Sequence, residues 1–273
     1  MFDSAGRLPL SMLRAIGAVL GIVVMAASGS YRRKLSDNLR RAGYRGWRWR
    51  VRAAAAAGRM ALDLPWVWRR PPSALARRVA CEDAAVLEAA ESSGRGILFL
   101  TPHLGSFEVT ARWYALRAPI TVMFREPKKG LLGPLVRRGR NAASIRAVPA
   151  ALAGVRAMLR ALRAGEAVGL LPDQVPGDGE GRWANFFGEP AWTMTLPQRL
   201  AQASGAAVVV AVGERVPGGW RLHLARLDEM PTPDALNATM ERLVRGWPEQ
   251  YLWGYNRYKR PAGVGEPDVR GQR

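Results

Sequence analysis

The chain of 273 residues is 48% hydrophobic and 23% charged, enough apolar content to bury a sizeable core. Its 41 lysines and arginines against 22 acids leave a formal net charge of +19, which points to a polyanionic partner, either nucleic acid or an anionic membrane surface. The lone cysteine, Cys81, excludes an intramolecular disulfide and a cysteine-based zinc cluster, and is expected to be buried and unreactive.

An apolar segment, LPLSMLRAIGAVLGIVVMAASGSY, covers residues 8–31, with Arg14 its only charge. The uncharged run 15–31 is shorter than the roughly 20 residues a spanning helix needs. A membrane anchor, spanning or partly inserted, is the leading reading. A buried core helix and a cleaved signal ending near Ala26-Ala27-Ser28 are the alternatives. The basic run that follows argues against export, because positive charge stays on the cytoplasmic side. Residues 31–78 hold 14 lysines and arginines against Asp37 and Asp63, a surplus of +12. Trp47, Trp49, Trp66 and Trp68 interleave with these basic residues. Such interleaving suits single-stranded nucleic acid and also an anionic lipid interface. The adjacent apolar segment decides for the membrane.

After Pro71-Pro72, short apolar runs alternate with helical stretches. The runs 96–101, 120–124, 144–149, 167–172, 206–213 and 220–227 read as strands. The stretches 81–93, 105–117, 129–141, 151–164 and 193–204 read as helices. In 151–164, Leu152, Val155, Leu159 and Leu162 share one face and Arg156, Arg160 and Arg163 another. The last two strands, joined by ERVPGG, form an expected antiparallel hairpin. The fold class is therefore α/β, a mixed, mostly parallel sheet flanked by helices, with an N-terminal hydrophobic membrane helix. The expected organisation is an anchor over 1–31, one domain over 32–261 and a disordered Gly- and Pro-rich tail over 262–273.

The stretch LFLTPHLGSFEVT is the candidate site. One of the two histidines, His103, follows a strand end, where sites of open α/β sheets lie. Glu108, five residues on, falls in the first helical turns. A carboxylate there can hold one imidazole nitrogen and leave the other as a general base. Ser106 lacks the second glycine of a hydrolase nucleophile elbow and reads as a helix-start residue. His223, alternating within a strand, reads as structural.

The segment PHLGSFE is similar to the His-x4-Asp/Glu signature of glycerolipid acyltransferases. It resembles more closely that of the lipid A late (secondary) acyltransferases, the lauroyl/myristoyl type within the lysophospholipid acyltransferase superfamily. YRRKLSDNLRRAG, FREPKKGLLGPLVRRGRN, LLPDQVPGDGEGRWANFFGEPAWTMTLPQRLA and PEQYLWGYNRYKRP resemble further blocks of that family in order, over roughly residues 8–261. Ser106-Phe107-Glu108 stands where the family often has Asn-Trp-Glu, and Val175 where an acid often follows Pro-Asp-Gln. The resemblance implies transfer of a fatty acyl chain from an acyl-carrier-protein thioester to a hydroxyl of a lipid A precursor, at the cytoplasmic face of the bacterial inner membrane. It implies His103 as general base, Glu108 as its orienting partner, and Arg140, Asp173 and Gln174 in or beside the site. Arg138 is the competitor for the Arg140 position. Arg125 or Arg140 is expected to bind a phosphate. A thioester is already activated, so neither a metal nor a cofactor is expected. The acyl groove is expected among Trp, Leu and Met residues of 60–68 and 123–135. The expected partners are the acidic carrier protein, the lipid precursor and the anionic membrane, and no nucleic acid. A lysophospholipid or other glycerolipid acyltransferase, and a non-catalytic basic membrane-binding protein, are the alternatives.

Overall fold

The computed structural model describes residue 6 and residues 8–124 and 144–267. Arg125, Arg138, Arg140 and the helix expected over 129–141 lie outside the described residues.

Among the described residues, three helices come first: α1 (Leu10–Ala27), α2 (Gly29–Arg41) and α3 (Trp47–Arg69). A short helix α4 (Pro72–Ala76) then leads into β1 (Val79–Cys81) and α5 (Ala84–Ser92). The α/β part continues with β2 (Ile97–Leu100), α6 (Glu108–Tyr114), β3 (Ile120–Phe124), β4 (Ile145–Pro149), α7 (Leu152–Arg163) and β5 (Ala167–Leu170). A separate antiparallel hairpin follows, β6 (Gly181–Phe186) and β7 (Glu189–Met194). The chain then makes α8 (Leu196–Ser204), β8 (Ala207–Val216), β9 (Gly219–Arg226) and α9 (Pro233–Gly246).

Among the described residues, seven strands form one sheet in the order β1-β9-β8-β2-β5-β3-β4. Every neighbouring pair is parallel except the expected β8–β9 hairpin. The mixed, mostly parallel sheet is thus present. Strands β2 and β5 are central and buried along their whole length, as parallel strands covered on both faces must be. Leu98 and Leu100 face a core shared with Leu35 and Leu39 of α2, Met158 of α7, Leu200 of α8 and Leu236 of α9. Ile97 and Phe99 face the opposite cluster with Leu87 of α5 and Tyr114 of α6.

Helix α1 is long and apolar enough, by length and composition, to cross a membrane. It lies along α3. A Cβ on Gly21 would strike the Ala54 carbonyl, and one on Gly58 would strike the Gly17 carbonyl. These glycines let the two helix backbones touch, as small residues do at close helix crossings. The lone charge, Arg14, does not interrupt a free anchor. Its guanidinium pairs with Asp63 at 2.9 Å and donates to the Val216 and Gly219 carbonyls of the β8–β9 hairpin. Asp63 is fully buried and also accepts from Trp220 Nε1. The other face of α1 exposes Met12, Ile16, Val19, Leu20, Val23 and Val24.

Of the tail expected to be disordered, Val264 is buried and the Gly265 carbonyl accepts from Trp183 Nε1 at 3.1 Å. Cys81 is half-buried, and burial pushes its thiol up. His223 is paired with Glu214 across the β8–β9 ladder at 2.9 Å and stacks on Trp247, the structural role expected of it.

Replacing Arg14 with Ala removes the cation facing a buried carboxylate. The expected loss is about 3–5 kcal/mol of folding free energy, read by chemical denaturation.

Candidate active site

The site forms where two parallel strands end side by side. Leu100 of β2 is in register with Leu170 of β5, and the Thr101 amide donates to the Leu170 carbonyl. Both chains then run three residues further, to His103 on one and Asp173 on the other. The Asp173 carboxylate accepts two hydrogen bonds from His103. Nδ1 donates to Oδ1 at 2.7 Å, and the backbone N–H donates to Oδ2 at 2.9 Å. A carboxylate on Nδ1 places the proton there and leaves Nε2 as the acceptor. The Gln174 amide donates to that Nε2 at 3.2 Å.

Asp173 is 4% exposed. Burial pushes its carboxyl up, but the charge and hydrogen bonds of His103 outweigh that and hold it below the ordinary carboxylate value. Behind it sits Tyr251, where burial, with the negative Asp173 beside it, holds the phenol well above its usual value. Arg257 lies in the same buried region. It donates to the Trp192 carbonyl, Thr193 Oγ1 and Asn237 Oδ1 at 2.7–3.0 Å.

The turn carrying His103 is held from several sides. Gly105 has φ +63°, and a Cβ there would strike the Gly213 carbonyl, so glycine is required at this approach to β8. The Ser106 amide donates to that same carbonyl at 2.7 Å. A strap after α9 completes the frame. Gly105 N donates to Gln250 O at 3.1 Å, and Leu252 N donates to His103 O at 3.0 Å. The Tyr255 hydroxyl accepts from Val175 N at 2.9 Å, next to Gln174. Asn38 of the basic helix α2 donates to the Trp253 and Tyr255 carbonyls, both at 2.7 Å. Sequence reading missed Asn38, Tyr251 and Tyr255. The aromatic density of PEQYLWGYNRYKRP was a visible signal, but its target lies 80 residues away at one loop and farther at the other.

Glu108 is placed differently from the expected dyad. Its carboxylate accepts from Trp68 Nε1 of α3 at 3.2 Å. The carboxylate on the imidazole is that of Asp173, because β5 is the neighbour of β2 and its exit loop reaches the ring. Ser106 is 1% exposed. Its Oγ has no hydrogen-bond partner among the described residues, so no base activates it as a nucleophile.

His103 and Gln174 open onto a cavity of about 540 Å³, within the size range of ligand sites. Its walls are mostly apolar: Leu152, Val155 and Leu159 of α7, Leu170 of β5, and Leu196 and Leu200 of α8. The apolar face read in 151–164 therefore turns largely toward this cavity, and Leu152 remains 65% exposed. Of the expected groove residues, Met123 lines the cavity. Trp66 and Trp68 instead pack with Leu10, Leu13 and Trp220 beneath α1. Residues 125–135 lie outside the described residues. Among the described residues no cluster of His, Cys, Asp and Glu is arranged to hold a metal ion.

Residues 4–260 match the family described as bacterial lipid A biosynthesis acyltransferase. The chain is similar to the lipid A biosynthesis lauroyltransferase of Escherichia coli (strain K12), at 30% identity over 220 residues, 76% of this chain and 70% of that protein. It is also similar to the lipid A biosynthesis palmitoleoyltransferase of the same organism, at 30% identity over 213 residues, 73% of this chain and 67% of that protein. A lipid A biosynthesis acyltransferase of Shigella flexneri matches at the same identity over the same coverage.

Folding lowers the Asp173 carboxyl value, so the stability it contributes is present above its unfolded value, about 3.9, and is lost as pH falls through the depressed one. Wild-type and Asp173→Asn stabilities, measured by denaturation across a pH series, are therefore expected to differ at neutral pH and to converge below about pH 4.

Proposed function

We propose that this chain, which belongs to the family of bacterial lipid A biosynthesis acyltransferases, moves a fatty acyl group from the thioester of an acyl carrier protein to a hydroxyl of a lipid A precursor, with His103 as the general base. The observation that carries the mechanism is His103 held by Asp173 on Nδ1, with Nε2 turned to a largely apolar cavity.

The acceptor hydroxyl displaces the Gln174 amide from Nε2 and gives its proton to that nitrogen as its oxygen attacks the thioester carbonyl. The ionised Asp173 stabilises the resulting imidazolium. Gln174, 3.2 Å from Nε2, is placed to donate its amide hydrogens to the oxyanion of the tetrahedral intermediate. When the carbonyl re-forms, the carbon–sulfur bond breaks and the carrier thiolate takes the proton from Nε2. An ester and a free thiol result, and His103 returns to its starting state. The acyl chain occupies the cavity between α7 and α8. Glu108, hydrogen-bonded to Trp68, acts at one remove by holding the start of α6 against α3. Arg125 and Arg140 are proposed for phosphate binding on the family resemblance alone.

The enzyme works at the inner membrane, on its cytoplasmic face. The apolar stripe of α1 enters the lipid while Arg14 keeps the helix docked, and the basic residues of α2 and α3 meet the anionic headgroups. The organisation that follows is an anchoring helix fused to the acyltransferase domain.

Two measurements test this reading. With acyl-carrier donor and lipid A precursor, His103→Ala and Asp173→Asn are expected to lower kcat by about 10²–10⁴-fold. Glu108→Gln is expected to cost much less, and the reverse order would return the orienting role to Glu108. Leu159→Trp, which fills the cavity, is expected to shift donor preference toward shorter chains. An unchanged chain-length profile would remove the acyl group from this cavity.

A further inference from the structure

The cavity beside His103 is walled by two helices with an unusual charge balance. Helix α7 carries Arg156, Arg160 and Arg163, and α8 carries Arg199, while neither contains an acid. All four arginines are exposed. Arg156, Arg160 and Arg163 follow a spacing of four and three, which puts them on one side of α7. Arg163 reaches across to the Ala203 carbonyl and ties α7 to α8. Arg199 itself lines the cavity, so the arginines extend to its rim. Among the described residues, no carboxylate pairs with Arg156, Arg160 or Arg199. The acid lining the cavity, Glu180, is engaged by the Gly177 amide at 2.9 Å.

Unpaired like charges at a cavity rim raise the local potential and favour an anionic partner. Two such partners meet this protein, an anionic bilayer and an acidic protein. The bilayer reading has its own surface, where α1 exposes six large apolar side chains in a stripe. The α7–α8 face exposes only Leu152 of that kind among the described residues, so it lacks the apolar wedge that an inserting surface needs. We propose that this arginine face docks the acidic carrier protein, so that its acylated arm enters the cavity between α7 and α8 toward His103. This rests on the carrier-donor reading above and adds where the carrier sits. A chain stored in this cavity has its thioester end at His103 and Gln174, and the carrier body must stay outside at the rim. Arginines there steer it by long-range attraction and set its orientation.

The test uses the full chain with Arg156→Glu and Arg160→Glu together, neither of which lines the cavity or contacts the site. The double variant is compared with wild type on two donors bearing the same acyl group, the acyl carrier protein and a short acyl-pantetheine thioester. The expected result is a rise of about ten-fold or more in KM for the carrier donor. Its kcat stays within about two-fold, and turnover of the pantetheine donor is unchanged. Raising salt should reproduce the KM effect in wild type, and Arg156→Lys with Arg160→Lys should retain low KM. An unchanged carrier KM overturns the proposal, and so does an equal loss with both donors. Lost binding to anionic vesicles with carrier KM intact assigns the face to the membrane and also overturns it. If wild type turns over the pantetheine thioester but not the carrier thioester, the donor reading itself falls, a result visible without any variant.

Discussion

The contact on which the site depends is the double hydrogen bond from His103 to Asp173. One carboxylate holds both the ring and the backbone of the same residue. That demands two chain exits in matching register, which the β2–β5 pairing supplies. It also demands a turn tight enough to bring His103 back over the sheet end, where Gly105 approaches β8 without a side chain. The strap from Gln250 to Tyr255 then closes on both exits, bonding His103 on one and Val175 on the other. His103, the proposed base, is therefore positioned by backbone from distant parts of the chain, which keeps its geometry from drifting with any one loop.

The same strap ties the site to the basic N-terminal layer. Asn38 lies on a helix rich in arginine, yet it is buried, and both its amide hydrogens reach strap carbonyls. Helix α1 has a comparable double character. Its apolar composition suits lipid, while Arg14 and the glycine contacts make it part of the folded body. A helix bound in this way, if it enters lipid as proposed, would hold the sheet in a defined relation to the membrane surface, which suits an acyl acceptor that is itself a lipid.

Most of the sheet was legible because buried strands are short apolar runs between breakers, as in ILFL and AVGL. Strand β1 escaped because three residues carry no periodicity. The β6–β7 hairpin escaped because WANFFGEPAW mixes aromatics with Gly and Pro and lacks strict alternation. Helix α9 has a readable start, with Thr232 capping the Ala235 amide and Pro233 in the first turn, yet it is absent from the elements expected from the sequence. His103 was legible from its place after a strand. Its carboxylate was not, because spacing along the chain favours Glu108, five residues away, while strand order favours Asp173, seventy away. Asp173 entered the sequence reading through the family's Pro-Asp-Gln block, as a residue in or beside the site, with no contact to His103 implied. The role of Arg14 was hidden for the same reason, since its partner Asp63 is 49 residues on.

The most direct test of the account is nitrogen-15 NMR of the His103 imidazole in wild type, Asp173→Asn and Glu108→Gln. A strongly hydrogen-bonded Nδ1 proton is expected in wild type, persisting in Glu108→Gln and lost in Asp173→Asn. Loss of that signal in Glu108→Gln with retention in Asp173→Asn would contradict it.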